Sequence, residues 1–342
     1  MANTSEIIGI SPKFAIPRGE ILIDCENFPA SATGDQAVHF DDVEGRILAA
    51  SSRRVIASVP EGLNSTNVSV SLSSYGGRTN AVELIVGRKL ADEMHIVANP
   101  AIDPKDDSLI VTRSGSRGQK LSTTLFRIDT DGFVSDIMAD VMNPTGIAFD
   151  ARGRFFVTNR AAGEVCQVVR DEDVMTFASG LGTATGIAFD RNGTMFVGDR
   201  AGTIHRISDQ GNPEPFATVE PSVAAYHLAF GNDDRLFVTA PGLSSFDSVY
   251  AIGPDGFDTK FFKGLGRPQG LAFDAGGNLF VAACYQGRRG IVRIPPGGDE
   301  AELCVAGNNV VGLCFTRKGE LIVATNDSVF SIPFGQKGML LG

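Results

Sequence analysis

One phrase returns along this chain about every 40 residues: a turn, an apolar strand, a glycine-containing hairpin and a second strand. It reads NPTGIAFDARGRFFVTN at 143–159, TATGIAFDRNGTMFVGD at 183–199 and RPQGLAFDAGGNLFVAA at 267–283. Looser copies are AAYHLAFGNDDRLFVTA at 224–240 and NVVGLCFTRKGELIVAT at 309–325, so Phe149, Phe189, Phe230, Phe273 and Phe315 hold one register. A degenerate first copy, NPAIDPKDDSLIVTR at 99–113, carries Ile102 in the phenylalanine slot. A strand-rich unit of this size cannot bury both of its faces alone. Six in succession therefore predict a closed ring of small sheets, a six-bladed β-propeller in an all-β protein.

Composition bounds the rest. The chain has 342 residues, 43% of them hydrophobic, and 40 glycines, which suits a turn-rich β protein with room for two cores. Forty acidic residues against 30 basic ones leave a net charge of −10, which excludes the basic footprint of a nucleic-acid binder and disfavours anionic membranes. No apolar run reaches the roughly 18 residues that span a bilayer. The opening MANTSEIIGISP lacks the basic segment and apolar core of a secretory signal, so the chain reads as cytoplasmic. Cys25, Cys166, Cys284, Cys304 and Cys314 are odd in number and widely spaced, which fits buried free thiols in a reducing compartment.

Before the repeats, residues 1–86 carry a different β pattern, with strands expected at 20–24, 37–40, 55–59, 67–72 and 81–86. ISP at 10–12, Gly19 before ILIDCENF, VHF at 38–40 and SVPEG at 58–62 fall in an order that resembles the TIG/IPT family of immunoglobulin-like β-sandwiches. The resemblance implies a spacer or interaction module, and hence protein contact through this region. No glycine- and serine-rich linker separates it from the repeats of 87–342. Segment 86–91 is expected to supply the outer strand of the last blade and close the ring, which also removes a sheet edge.

The repeat phrase, P-x-G-[IL]-A-F-D followed by G-x-[LMF]-F-V, resembles the NHL repeat and the six-bladed propellers of the gluconolactonase/regucalcin group. The second likeness implies a lactonase-like hydrolase with a divalent cation (calcium, magnesium or zinc) on the ring axis. That group holds the cation with a Glu near the first inner strand and with Asn or Asp before the glycine of later ones. The matching positions here carry Ala101, Thr145, Thr185, Tyr226, Gln269 and Val311, so no carboxylate stands in that ring. A hard cation wants converging oxygens, carboxylates among them. Asn99, Asn159, Asp199 and Asn326 could rebuild a site from the ends of second strands.

The first and second strands of a blade run antiparallel, so the start of one and the end of the other share a face. That face collects Arg113, Asn159, Arg160, Asp199, Arg200, Tyr285 and Asn326, and from the preceding loops Tyr226, His227, Arg267 and Gln269. Arg117, Arg288 and Arg289 extend the same loops. Guanidinium groups in a concave mouth grip carboxylates and phosphates with paired hydrogen bonds, which points to a small anionic molecule or an acidic peptide as ligand. The alternative is that Arg160 and Arg200 pair with Asp199, Asp327 or Glu164. His227 stands in the slot filled elsewhere by Gly146, Gly186, Gly270 and Gly312. Beside Tyr226 it suits a general base or a ligand anchor, or else a hydrogen-bonded filler. The leading reading is an anion-binding propeller without obligatory metal. The second is a hydrolase with His227 as base and Asn159, Asp199 and Asn326 arranging water or a cation.

Overall fold

The computed structural model describes residues 5–30, 35–75, 77–115, 119–170, 172–244 and 246–339. Among them every regular element is a strand, and no helix is long and apolar enough to cross a membrane.

Each repeat folds into consecutive antiparallel strands because its apolar runs are short and its hairpins carry Asp and Gly. Asp150 and Asp190 accept hydrogen bonds from backbone amides two and four residues on, at 2.8 to 3.0 Å, which fixes those turns. Four sheets stand alone with four strands each. Three are built from single repeats: 101–137, 144–178 and 184–218. In the fourth, Arg88–Ala91 lies antiparallel to Val329–Pro333 beyond the last repeat, with Lys89 opposite Phe330. Chain segments some 240 residues apart (329 minus 88) thus share one sheet.

The repeats at 227–266 and 271–306 also pair as four successive strands, but they do not stand alone. Asp258–Gly266 runs past its own sheet, and Leu265 and Gly266 pair with Tyr285 and Cys284. Phe14–Ala15 then lies parallel to both Glu302–Ala306 and Val82–Val86, joining the N-terminal strands to the same seventeen-stranded sheet.

The cores show how the sheets are arranged. One cluster pools Ile110 and Leu125 with Val157 and Cys166 of the next repeat. The following ones likewise pool Phe156 with Val197, Phe196 with Val238, Phe237 with Val281, and Phe280 with Val323. A last cluster joins Val111 and Phe126 of the first repeat to Ala324 and Val329 of the last. Every sheet therefore buries each face against a neighbour and the series returns to its start, a propeller-like arrangement. The register phenylalanines sit in these seams. Phe189 meets Phe156 of the preceding sheet at 5.5 Å, Phe230 meets Phe196 at 5.2 Å, Phe273 meets Phe237 at 4.9 Å and Phe315 meets Phe280 at 5.0 Å. Such tilted and edge-on contacts add to the burial itself.

The glycine before the apolar run in four of the repeats answers to the same geometry. A Cβ at Gly146 would collide with the Thr185 carbonyl, and one at Gly312 with the Ala98 carbonyl. Buried threonines complete the seams. Thr158 Oγ1 donates to the Thr185 carbonyl at 2.6 Å and accepts from the Gly146 amide at 2.7 Å, while Thr239 Oγ1 donates to the Gln269 carbonyl.

The N-terminal strands close over a core of their own. Ile21, Ile23, Val38, Phe40, Val55, Val70, Leu72 and Leu84 are fully buried in it. Strands at Glu20–Glu26, Ala37–Phe40, Arg54–Ser58, Asn67–Ser74 and Val82–Val86 lie where the sequence pattern places them. Glu6–Ser11 and Val43–Ala50 are additional. Val43–Ala50 has no fully buried residue, so it lacks the apolar alternation that marks a strand.

If the seams carry the stability, Phe237→Ala should cost about 3–5 kcal/mol, because its ring contacts Phe261 of its own sheet and Phe273 across the seam. Gly146→Ala should cost about 1–3 kcal/mol through overpacking. Urea denaturation measures both; losses below about 0.5 kcal/mol would contradict this packing.

Candidate ligand-binding site

The sequence-derived candidates fall into two groups. Tyr226 and His227 line a central cavity of about 530 Å³, whereas Arg113, Asn159, Arg160, Asp199, Arg200, Arg267, Gln269, Tyr285 and Asn326 do not. The expected single site is therefore divided.

Arg160 and Arg200 occupy equivalent turns after consecutive second strands, Phe155–Asn159 and Met195–Asp199. The two turns end neighbouring sheets, within reach of each other's charge. Burial and the charge of Arg200 both lower the pKa of Arg160, the signature of a guanidinium held against a like charge. Among the described residues Arg160 makes no hydrogen bond or ion pair, so pairing with Asp199, Asp327 or Glu164 is not what holds it. Arg200 donates from one terminal nitrogen to the Val223 carbonyl at 2.8 Å, and its Nε is buried without a partner. Two cations that feel each other's charge, one with an unspent donor, are relieved by an anion or water.

Asp199, the expected catalytic carboxylate, is engaged with the backbone. Its Oδ1 accepts from the backbone amides of Thr183 at 2.8 Å and Ala201 at 3.2 Å, tying the end of its strand to the preceding loop. The same carboxylate raises the pKa of Tyr226, after burial, and opposes the burial that lowers His205.

Tyr226 is likewise not at a surface. It is fully buried in the seam, its hydroxyl donates to the Glu220 carbonyl and its amide donates to Thr185 Oγ1 at 3.1 Å. Thr185 is thereby committed to the seam as well.

His227 is 4% exposed, begins the strand His227–Phe230, and its side chain makes no hydrogen bond to a described residue. Burial pushes its pKa down to about 4, so the imidazole is neutral at physiological pH. It is not the hydrogen-bonded filler that its slot suggests.

The other candidates serve the frame or stand apart. Asn159 Oδ1 accepts from the Ala162 amide at 3.2 Å and caps a turn. Asn99 bridges two first strands, donating to the Leu271 carbonyl at 2.9 Å and accepting from the Leu313 amide at 3.1 Å. Asn326 is exposed, its backbone amide bonded to the Asn309 carbonyl. Arg267 is exposed at a φ of 48°, with its backbone amide directed to buried Asp247. Gln269 spends its carbonyl on Thr239, and the Tyr285 ring lies 6.1 Å from Phe262. Arg113 is half-buried without a side-chain partner among the described residues. Arg288 binds the Ser11 carbonyl at 2.7 Å and the Glu20 carbonyl at 3.2 Å, so it secures the N-terminal strands instead of serving the mouth. Arg117 lies outside the described residues.

These donors do not fit a divalent cation. No group of three or more His, Cys, Asp or Glu among the described residues could hold a metal ion, and Asn99, Asn159 and Asp199 each give an acceptor to a backbone amide. Thr158 and Thr239, the seam donors, carry no sequence signal beyond sitting at the end of the apolar run in a second strand.

No protein-family model and no curated protein sequence matches the chain. Solved structures do. A putative gluconolactonase superposes with a TM-score of 0.62 at 18% identity, over 74% of this chain and 93% of its own. A gluconolactonase from Xanthomonas campestris gives 0.59 at 16%, over 90% and 99%. An auxiliary nutrient binding protein from Bacteroides thetaiotaomicron gives 0.57 at 13%, over 98% and 99%. What these share with the chain is the β-propeller fold, and the third matches along nearly its whole length.

The state of His227 has a measurable consequence. Its folded pKa lies below the ordinary value of 6.5, so the unfolded chain binds the extra proton as pH falls. The stability tied to the neutral ring is complete above about pH 6.5 and is lost progressively towards pH 4, by about 3 kcal/mol in total. Relative to the unaltered chain, His227→Gln should gain that amount between pH 7.5 and 4, as read by urea denaturation across pH. A constant difference would place the imidazole in water.

Proposed function

We propose that this chain is a six-bladed β-propeller with an N-terminal immunoglobulin-like module of the TIG/IPT kind, and that it binds a small anionic ligand where Arg160 and Arg200 meet. Counting the two runs inside the large sheet as blades gives the six of the sequence repeat. The two N-terminal strand groups enclosing one core support the sandwich reading.

One observation carries the ligand proposal: Arg160 and Arg200, on equivalent turns of consecutive sheets, feel each other's charge, and neither is ion-paired with a carboxylate among the described residues. Folding spends free energy to keep like charges close, and an anion relieves it. The −10 net charge makes this a local cationic spot on an acidic molecule, which favours a small anion over an extended polyanion. Recognition by Arg pairs uses parallel hydrogen bonds to carboxylate or phosphate and requires no metal. A hydrolase with His227 as base has weaker support, because Asp199 and Asn159 are engaged with backbone amides and do not line the His227 cavity. The five unpaired cysteines fit a reducing compartment.

Titration calorimetry with citrate, inorganic phosphate and an acidic peptide tests the proposal. At least one should bind the unaltered protein. Arg160→Met should weaken it tenfold or more, since hydrogen bonds to charged groups contribute about 1.5–3 kcal/mol. Without ligand, Arg160→Met should leave stability unchanged or raised. Loss of stability in the variant, together with no binding by any of the three, would remove the proposal.

A further inference from the structure

The central cavity belongs to different residues from the arginine pair. Its wall is formed by the first strands of successive repeats, and it reaches the hairpins at Ala151, Arg191 and Arg317, on the opposite face from Arg160 and Arg200. The two arginine side chains there are about half exposed, so the cavity meets solvent among them.

Three features decide what it could hold. The first is a repeated small residue. The position before each register phenylalanine is Ala148, Ala188, Ala229, Ala272 or Cys314, with Ala101 before Ile102, and all six line the cavity. A larger side chain at that register would fill the lumen from every side; the repeat phrase keeps it open. The second is charge. Arg191 is paired with Asp234 and with the Asn232 carbonyl, Arg317 with Asp107 at 3.3 Å, and Asp150 with Arg154 at 2.6 Å. Asp190 also lines the rim and accepts only from the Asn192 and Thr194 amides, so among the described residues the rim offers no free cation to an anionic guest. The third is an unpartnered polar side chain on the inner wall. His227 lines the cavity, is 4% exposed and bonds to no described residue, whereas Asn99 and Thr145 are both engaged with carbonyl oxygens.

We propose that this cavity is a second binding site, for a compact, neutral, mainly apolar molecule bearing one hydroxyl or carbonyl group that hydrogen-bonds to the His227 imidazole. A volume of about 530 Å³ suits a guest of two or more fused rings. The neutral imidazole offers one donor and one acceptor, so either group finds a partner. The C-terminal segment completes the wall: Met339 lines the cavity, and its amide donates to the Phe273 carbonyl at 3.0 Å.

The probe is 2-naphthol, followed by fluorescence titration against the full chain, with 2-methylnaphthalene and 2-naphthoate for comparison. The expected result is saturable binding of one 2-naphthol, with naphthoate at least tenfold weaker. His227→Leu should weaken naphthol five- to twentyfold and leave methylnaphthalene within twofold. Ala229→Phe, which fills the lumen, should abolish binding of both. No saturable binding, equal affinity for all three compounds, or unchanged binding in Ala229→Phe overturns the proposal. If His227→Leu does not fold, the ranking of the three compounds on the unaltered chain decides, and water alone in the cavity would give no ranking.

Discussion

An aromatic ring at the end of one first strand rests on a ring from the second strand of the sheet before it, and this contact recurs at four successive seams. The rest of the structure depends on it. A four-stranded sheet has two apolar faces and no means of hiding either, so each must take its neighbour's ring. Rings near 5 Å apart require the backbones to approach closely where the strands begin. That is why glycine precedes the apolar run and why the Thr158 and Thr239 hydroxyls bond across the seam. Closure follows from the same need, since an open end would leave one face in water. Arg88–Ala91 meets that need by joining the last sheet, and Val111 and Phe126 of the first repeat pack against its far side.

The seams also decide where chemistry can occur. Side chains at the start of first strands are used up by them: Tyr226 becomes core, and Thr185 receives its amide. Turns after second strands escape this fate, and because consecutive sheets place these turns side by side, Arg160 and Arg200 become neighbours. The N-terminal strands are tied in through another edge, with Phe14–Ala15 between two strands and Arg288 on the Ser11 and Glu20 carbonyls. That edge would otherwise expose unpaired backbone groups.

Much of the fold was legible because it is written in short-range alternation. Ala37–Phe40 and the apolar runs of the repeats declare themselves by pattern. Val43–Ala50 did not, since both of its faces are partly in water. The site was less legible. Arg160 and Arg200 could be assigned to one face from strand direction, but the lack of a carboxylate partner could not. Asp199 illustrates why: an acidic residue beside two arginines reads as their partner, yet its oxygen is taken by the Thr183 and Ala201 amides. Nor does the small residue before each register phenylalanine announce a cavity, since alanine in a strand has no signature of its own.

By itself the sequence determined the repeat unit, its strands and the need for a ring, because a period of about 40 residues with a phenylalanine at one register in five of its units permits few other solutions. Only the tertiary structure decided which polar side chains are spent and which are free. Tyr226 and His227 are adjacent in the chain and both reach the wall of the central cavity. Yet the tyrosine packs into a seam with the Glu220 carbonyl for its hydroxyl, while the imidazole has no partner among the described residues. That outcome depends on backbone atoms brought in from neighbouring sheets, which no local pattern records.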